Sequence, residues 1–108
     1  MLSDVHGPRK LDRRRQFSVP RALLAAAGIA VPGRVSFERT QGRVVLRAAR
    51  AEDEAFRMMS AQAQVIAPSW VVSELGAAAG DPLYVRRHDD AVELLPAGRV
   101  RVEGMENA

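Results

Sequence analysis

Apolar and polar positions alternate in short stretches of this chain, broken by small blocks that are apolar without alternating. Leu11, Phe17 and Val19 can face inward while Gln16 and Ser18 face outward, around the basic run 13–15. A two-residue period is that of a half-buried strand, so this stretch predicts two short strands about a basic turn. Pro20 suits a first helical position, where the N–H it lacks would be unpaired anyway. "RALLAAAG" (21–28) has the length of about two helical turns, and Gly28 suits the C′ residue that ends them. "VPG" (31–33) is a turn. Val35 and Phe37 then alternate with polar residues, Gln41-Gly42 reverses the chain, and Val44 and Leu46 alternate again, which predicts a hairpin.

After an acidic joint at 50–56, the same pattern returns. With the chain slid by 48 residues and no gap, Gln16 falls on Gln64, Pro20 on Pro68, Gly28 on Gly76, Val44 on Val92 and Leu46 on Leu94. Leu23 and Leu24 meet Val71 and Val72, and Val35 and Phe37 meet Leu83 and Val85. What recurs is the helix-starting proline, the helix-ending glycine and both alternating strands, which predicts an internal duplication over 9–49 and 57–97. Residues 1–8 and 98–108 read as tails. A unit of four short strands and one small helix cannot enclose a core alone, whereas two units can close their strands into one barrel.

Charge divides the copies. The whole chain carries +3, but residues 1–50 hold eleven Lys/Arg against three acids, and residues 51–108 hold five against ten. Such a split predicts a front half that faces a polyanion. There is no cysteine, which excludes disulfides, thiol catalysis and Cys-ligated zinc, and fits a reducing cytoplasm. Nothing in the sequence pairs a nucleophile with a base, cradles phosphate in a glycine loop or spaces ligands for a metal, so neither an enzyme nor a cofactor protein is expected.

In order along the chain, "RKLD" (9–12), "FSVP" (17–20), a short helix ending at Gly28, "GRVSF" (33–37) and "GRVVL" (42–46) resemble the AbrB/MazE/SpoVT family of swapped-hairpin transcription factors. "IAP" (66–68), "ELG" (74–76), "GDPLYV" (80–85) and "VELLP" (92–96) repeat the resemblance, which is similar to the MraZ-like arrangement of two units in one chain. It covers about four-fifths of the sequence. The fold it implies is mostly β with short helices (α+β), a swapped-hairpin β-barrel of two ββαββ units. The implied function is transcriptional regulation by sequence-specific binding of double-stranded DNA, with the basic N-terminal strand and turn on the duplex. The expected location is the cytoplasm, associated with the nucleoid. In the family the turn before "FSVP" usually carries Gly then Arg, where this chain has Arg15 and Gln16. The helix often carries several basic residues, where this one has Arg21 alone. The matching stretch of the second copy, "RMMSAQAQ" (57–64), has one cation, Arg57.

The candidate DNA-binding residues are therefore Arg9, Lys10, Arg13, Arg14, Arg15, Gln16 and Arg21. Arginine and lysine displace counterions condensed on DNA, and arginine can also fork onto a guanine edge. Five such cations on phosphate predict a log K against log salt slope of about −4 to −5. Gln16 can read an adenine edge or hold the turn, and Asp12 is expected to cap the turn. Trp70 is expected in the core or an interface, and "HDD" (88–90) in a hairpin turn. A homodimer or higher homo-oligomer is expected, because one basic arm grips one half-site. The units could pair within a chain or across two chains.

Three rival readings stand beside this one. Arg14-Arg15-Gln16-Phe17 before the apolar run Ala22–Val31 looks like a twin-arginine export signal, although the same layout recurs at 65–95 without the arginine pair. That run is too short to span a membrane. "LLAAAGIAVPGRVSFER" has the outline of a helix-turn-helix, with Pro32-Gly33 where the second helix must begin. An antitoxin-like or protein-interaction module of the same fold is the third, disfavoured by the short C-terminal tail.

Overall fold

Two-residue hairpin turns set the architecture, which a computed structural model describes over residues 5–99. In chain order the elements are β1 (His6–Lys10), β2 (Gln16–Ser18), α1 (Arg21–Ala26), β3 (Gly33–Thr40), β4 (Arg43–Ala48), β5 (Arg57–Met59), β6 (Gln64–Ile66), α2 (Ser69–Leu75), β7 (Pro82–His88) and β8 (Ala91–Pro96). Gln41 and Gly42 join β3 to β4 with φ of 52° and 75°, the positive pair that a type I′ turn requires. His88 pairs with Ala91 across the β7–β8 turn, where Asp89 has φ 54°. "HDD" is thus hairpin-turn chemistry.

The fold is mostly β. One antiparallel sheet, ordered β1-β7-β8-β4-β3-β5, curls into a half-barrel, and β2 and β6 form a separate two-stranded ladder. Alternation sends Val35, Val44, Leu46, Leu83, Val85, Val92 and Leu94 into one core, with Phe17 and Val65 from the small ladder and Leu23, Leu24 and Val71 from the helices. Each helix is too short to hold itself together in water, so burial of these side chains stabilises it. Leu24 is fully buried, and its truncation to alanine costs roughly 2–5 kcal/mol.

The pairings recur at a spacing of 48 residues. Arg9 opposes Leu83, and Arg57 opposes Val35. The Val19 N–H donates to the Ala63 carbonyl, and the Ala67 N–H to the Arg15 carbonyl, at 3.0 and 2.9 Å. Both helices end alike: Ile29 N–H reaches Leu24 and Gly28 N–H reaches Ala25, matched by Ala77 to Val72 and Gly76 to Ser73. These are the paired closing bonds of a Schellman motif, with Gly28 and Gly76 left-handed at φ 72° and 65°.

Several local expectations change. The expected tail over residues 1–8 contains the start of β1. Gly7 lies at the irregularity in the β1–β7 ladder with φ 142°, and the Tyr84 ring occupies the space a Cβ would need. Glycine there serves close approach rather than looseness. The rest of that tail, residues 1–4, and residues 100–108 of the expected C-terminal tail lie outside the described residues. Pro20 and Pro68 stand at the N-cap, one place before the first helical residue. The segment that a helix-turn-helix needs as its second helix is strand β3. The apolar run Ala22–Val31 folds as α1 and its exit, with Leu23, Leu24, Ala27 and Ile29 buried. Among the described residues, no helix is long and apolar enough to cross a membrane.

The acidic joint consists of turns and bends, fastened by charge. Arg47 donates to Glu38 at 2.8 Å and to both Asp53 oxygens at 2.8 and 3.2 Å. Asp53 also accepts from the Arg50 N–H at 2.7 Å and the Ser36 hydroxyl at 3.0 Å. The Arg47 guanidinium, helped by the Arg50 N–H, holds the Asp53 carboxyl well below the usual carboxylate range. Asp53, then Glu38, raises Arg47.

Candidate nucleic-acid interface

The basic run 13–15 is a tight turn whose only carboxylate is committed to the backbone. Asp12 Oδ1 accepts from the N–H groups of Arg14 and Gln16, both at 2.8 Å, and the Asp12 carbonyl accepts from the Arg15 N–H at 3.0 Å. This is the local side-chain turn that aspartate favours. It leaves Arg13 and Arg14 exposed at the tip, with no ion-pair partner among the described residues. Two uncompensated guanidinium groups on a fixed turn suit phosphate oxygens or a guanine edge.

Arg15 behaves differently. Its φ of 64° is left-handed, the conformation that favours glycine. Its side chain folds back, with Nε donating to the Ala67 carbonyl at 2.9 Å, and the Ala67 N–H returns to the Arg15 carbonyl. Arg15 therefore fastens the turn to the residue preceding Pro68 and α2.

Gln16 donates through Nε2 to Gln64 Oε1 at 2.7 Å across the β2–β6 ladder. Phe17 and Val65 on these strands are buried, so the two glutamines lie on the face turned away from the core. The recurrence of glutamine at 48 residues signalled this pair, but only the register of the ladder joins the two side chains.

Arg21 begins α1 and is exposed, and its guanidinium donates to the Ala61 carbonyl. Ala61 belongs to the second turn, 60–63. Because β2 and β6 are antiparallel, the turns that precede them lie at opposite ends of the ladder. Arg21 is thus placed at the cation-poor end, away from Arg13 and Arg14. Arg9 and Lys10 diverge as well. Arg9 opposes the buried Leu83, so it sits half-buried on the core side of edge strand β1, and Lys10 points to the other side, exposed. The seven candidates therefore form a cluster at 13–15, a central Gln16–Gln64 pair, a distal Arg21 and two divergent cations on β1.

Trp70, expected in the core or an interface, is 41% exposed at the start of α2, so it is no core residue. No protein-family model matches the chain, and no curated protein is similar to it in sequence.

Proposed function

We propose that this chain is a transcriptional regulator that binds double-stranded DNA in a sequence-specific manner through the turn 12–15 and the outer face of the β2–β6 ladder. The observation that carries the reading is the pair Arg13 and Arg14, exposed on a turn whose own carboxylate is spent on backbone N–H groups. Arg13 and Arg14 supply phosphate contact and groove position. The Gln16–Gln64 pair lies between the two ends of the face, where carboxamides can meet base edges. Arg21 supplies the cation at the far end.

The strand exchange supports a swapped-hairpin barrel of two duplicated units. The first strand of each unit pairs with the hairpin of the other, β1 with β7 and β5 with β3. On this reading the units pair within one chain, and the protein acts in the cytoplasm, at the nucleoid, without catalysis. Selection of duplexes from a random pool tests the function. The intact chain is expected to enrich one motif, and Arg13→Ala/Arg14→Ala to lose that enrichment while keeping its fold. Absence of any enriched motif, with no duplex binding at low salt, overturns the proposal.

A further inference from the structure

Three large apolar side chains among the described residues stand in solvent: Phe56, Met58 and Trp70, at 45%, 59% and 41% exposure. Phe56 and Trp70 are neighbours, while Met58 is turned to the other face of β5, since Arg57 opposes the buried Val35. Phe56 and Trp70 line one open cavity of about 350 Å³, together with Phe37 and Pro68. The Arg34 guanidinium lies 5.1 Å from the Phe56 ring centre, and Arg34 is also the ladder partner of Met58. Two exposed aromatic rings lining one apolar hollow mark a contact site. The positions 48 residues before Phe56 and Trp70 hold Pro8 and Ala22, so the patch is not a by-product of the repeated backbone. It exists on one half only.

We propose that this patch is the contact face between two copies of the chain, related by a two-fold axis. Such a contact must be complementary to itself. The cavity lining meets that demand with Glu54 and Arg57, opposite charges that both lack an ion-pair partner among the described residues. Across a two-fold axis, Glu54 of each copy meets Arg57 of the other. A nucleic acid or anionic lipid would instead be met by cations without a carboxylate. Trp70 is three residues beyond Ala67, which the Arg15 bonds tie to the basic turn. The two-fold contact therefore brings two Arg13–Arg14 turns to its flanks, with the cation-poor turns outermost. That consequence rests on the DNA reading above, and the contact itself does not.

Light scattering on the full chain without DNA, over a concentration series, tests the contact. The expected mass is twice the 11.8 kDa of one chain. Phe56→Ser, and separately Trp70→Ser, are expected to give the single-chain mass with the unfolding transition preserved. Trp70 is the only tryptophan, so its emission should shift to the red as the wild type is diluted. Glu54→Arg should weaken association at least tenfold, and Glu54→Arg/Arg57→Glu should restore it. A wild type that stays single at every concentration overturns the proposal, as do patch variants that remain double. Arg13→Ala/Arg14→Ala is expected to keep the double mass, so a failure of DNA binding and a failure of pairing are read separately. Loss of the double mass in that variant would put the contact at the turn and also overturn the proposal.

Discussion

The two halves of the chain share a backbone and differ in what they display. Asp12 and Ser60 each turn a side-chain oxygen onto the N–H four residues later, Gln16 or Gln64. Arg15 and Ala63 are both left-handed, at φ 64° and 60°. Yet one turn presents Arg13 and Arg14, and the other presents Ala61 and Gln62. A side-chain oxygen two to four residues earlier pairs the turn's N–H groups in both halves, as aspartate and serine do in turns. The tips answer only to solvent or a ligand, and there the copies diverge. Divergence at such tips, on a shared hydrogen-bond pattern, fits the duplicated scaffold with one specialised face proposed above.

The largest difference to break lies inside the sheet. Val45 and Glu93 occupy equivalent positions and face each other across the β4–β8 ladder, both buried. Glu93 is held by Arg86 at 2.9 Å and approached by Arg43 at 3.5 Å. Glu93→Ala removes the buried carboxylate on which Arg86 and Arg43 converge and should cost roughly 3 kcal/mol in urea unfolding. Val45→Ala should cost about 2 kcal/mol, since it removes only apolar contact. Equal effects would mean that the ion cluster adds nothing to the comparison.

The turns give the next effect. Asp12→Ala removes the acceptor of two backbone N–H groups and should lower stability by about 1–2 kcal/mol. Ser60→Ala removes an acceptor of one, at 3.1 Å, and should cost roughly half as much. A smaller effect of opposite sign is expected at Gln41, whose φ of 52° suits asparagine better. Gln41→Asn should stabilise by less than about 1 kcal/mol, and Asp89→Asn, at a position that already holds a turn residue, by less still.

The subtlest difference appears only in acid. Arg47 has Leu95 as its equivalent, so the ion cluster with Asp53 belongs to one half. Unfolded Asp53 titrates at its ordinary value and folded Asp53 well below it. Between those values the unfolded chain binds more protons, so the stabilisation is complete at neutral pH and is lost as pH falls through that window. Asp53→Asn should flatten the decline of unfolding free energy below about pH 4, a region set by ordinary carboxylate titration. An unchanged acid slope would mean that the cluster leaves the joint unaffected.

Much of the fold was legible in the sequence, because it was written in residues with strong local physics. Gly28 and Gly76 mark the helix ends, Gln41-Gly42 marks a hairpin, and the alternating valines and leucines mark the core faces. Pro8 and Gly7 misled, since Gly-Pro also signals a loose end, and only the Tyr84 ring against Gly7 reveals close packing. The candidate site was legible as a list and not as a shape. Adjacent residues Arg9 and Lys10 separate because a strand alternates. Arg21 leaves the cluster because an antiparallel ladder sends the two turns to opposite ends. Trp70 carried no sequence signal for exposure, since a helix start beside two valines reads as core.

The most direct test of the central claim is the salt dependence of duplex binding by the intact chain and by Arg13→Ala/Arg14→Ala. If these two arginines contact phosphate, the variant should bind more weakly, with a log K against log salt slope shallower by about 1.8 per chain. Equal affinity and equal slope in the two proteins would contradict the account, because the turn that distinguishes the first half of the chain from the second would then have no part in binding.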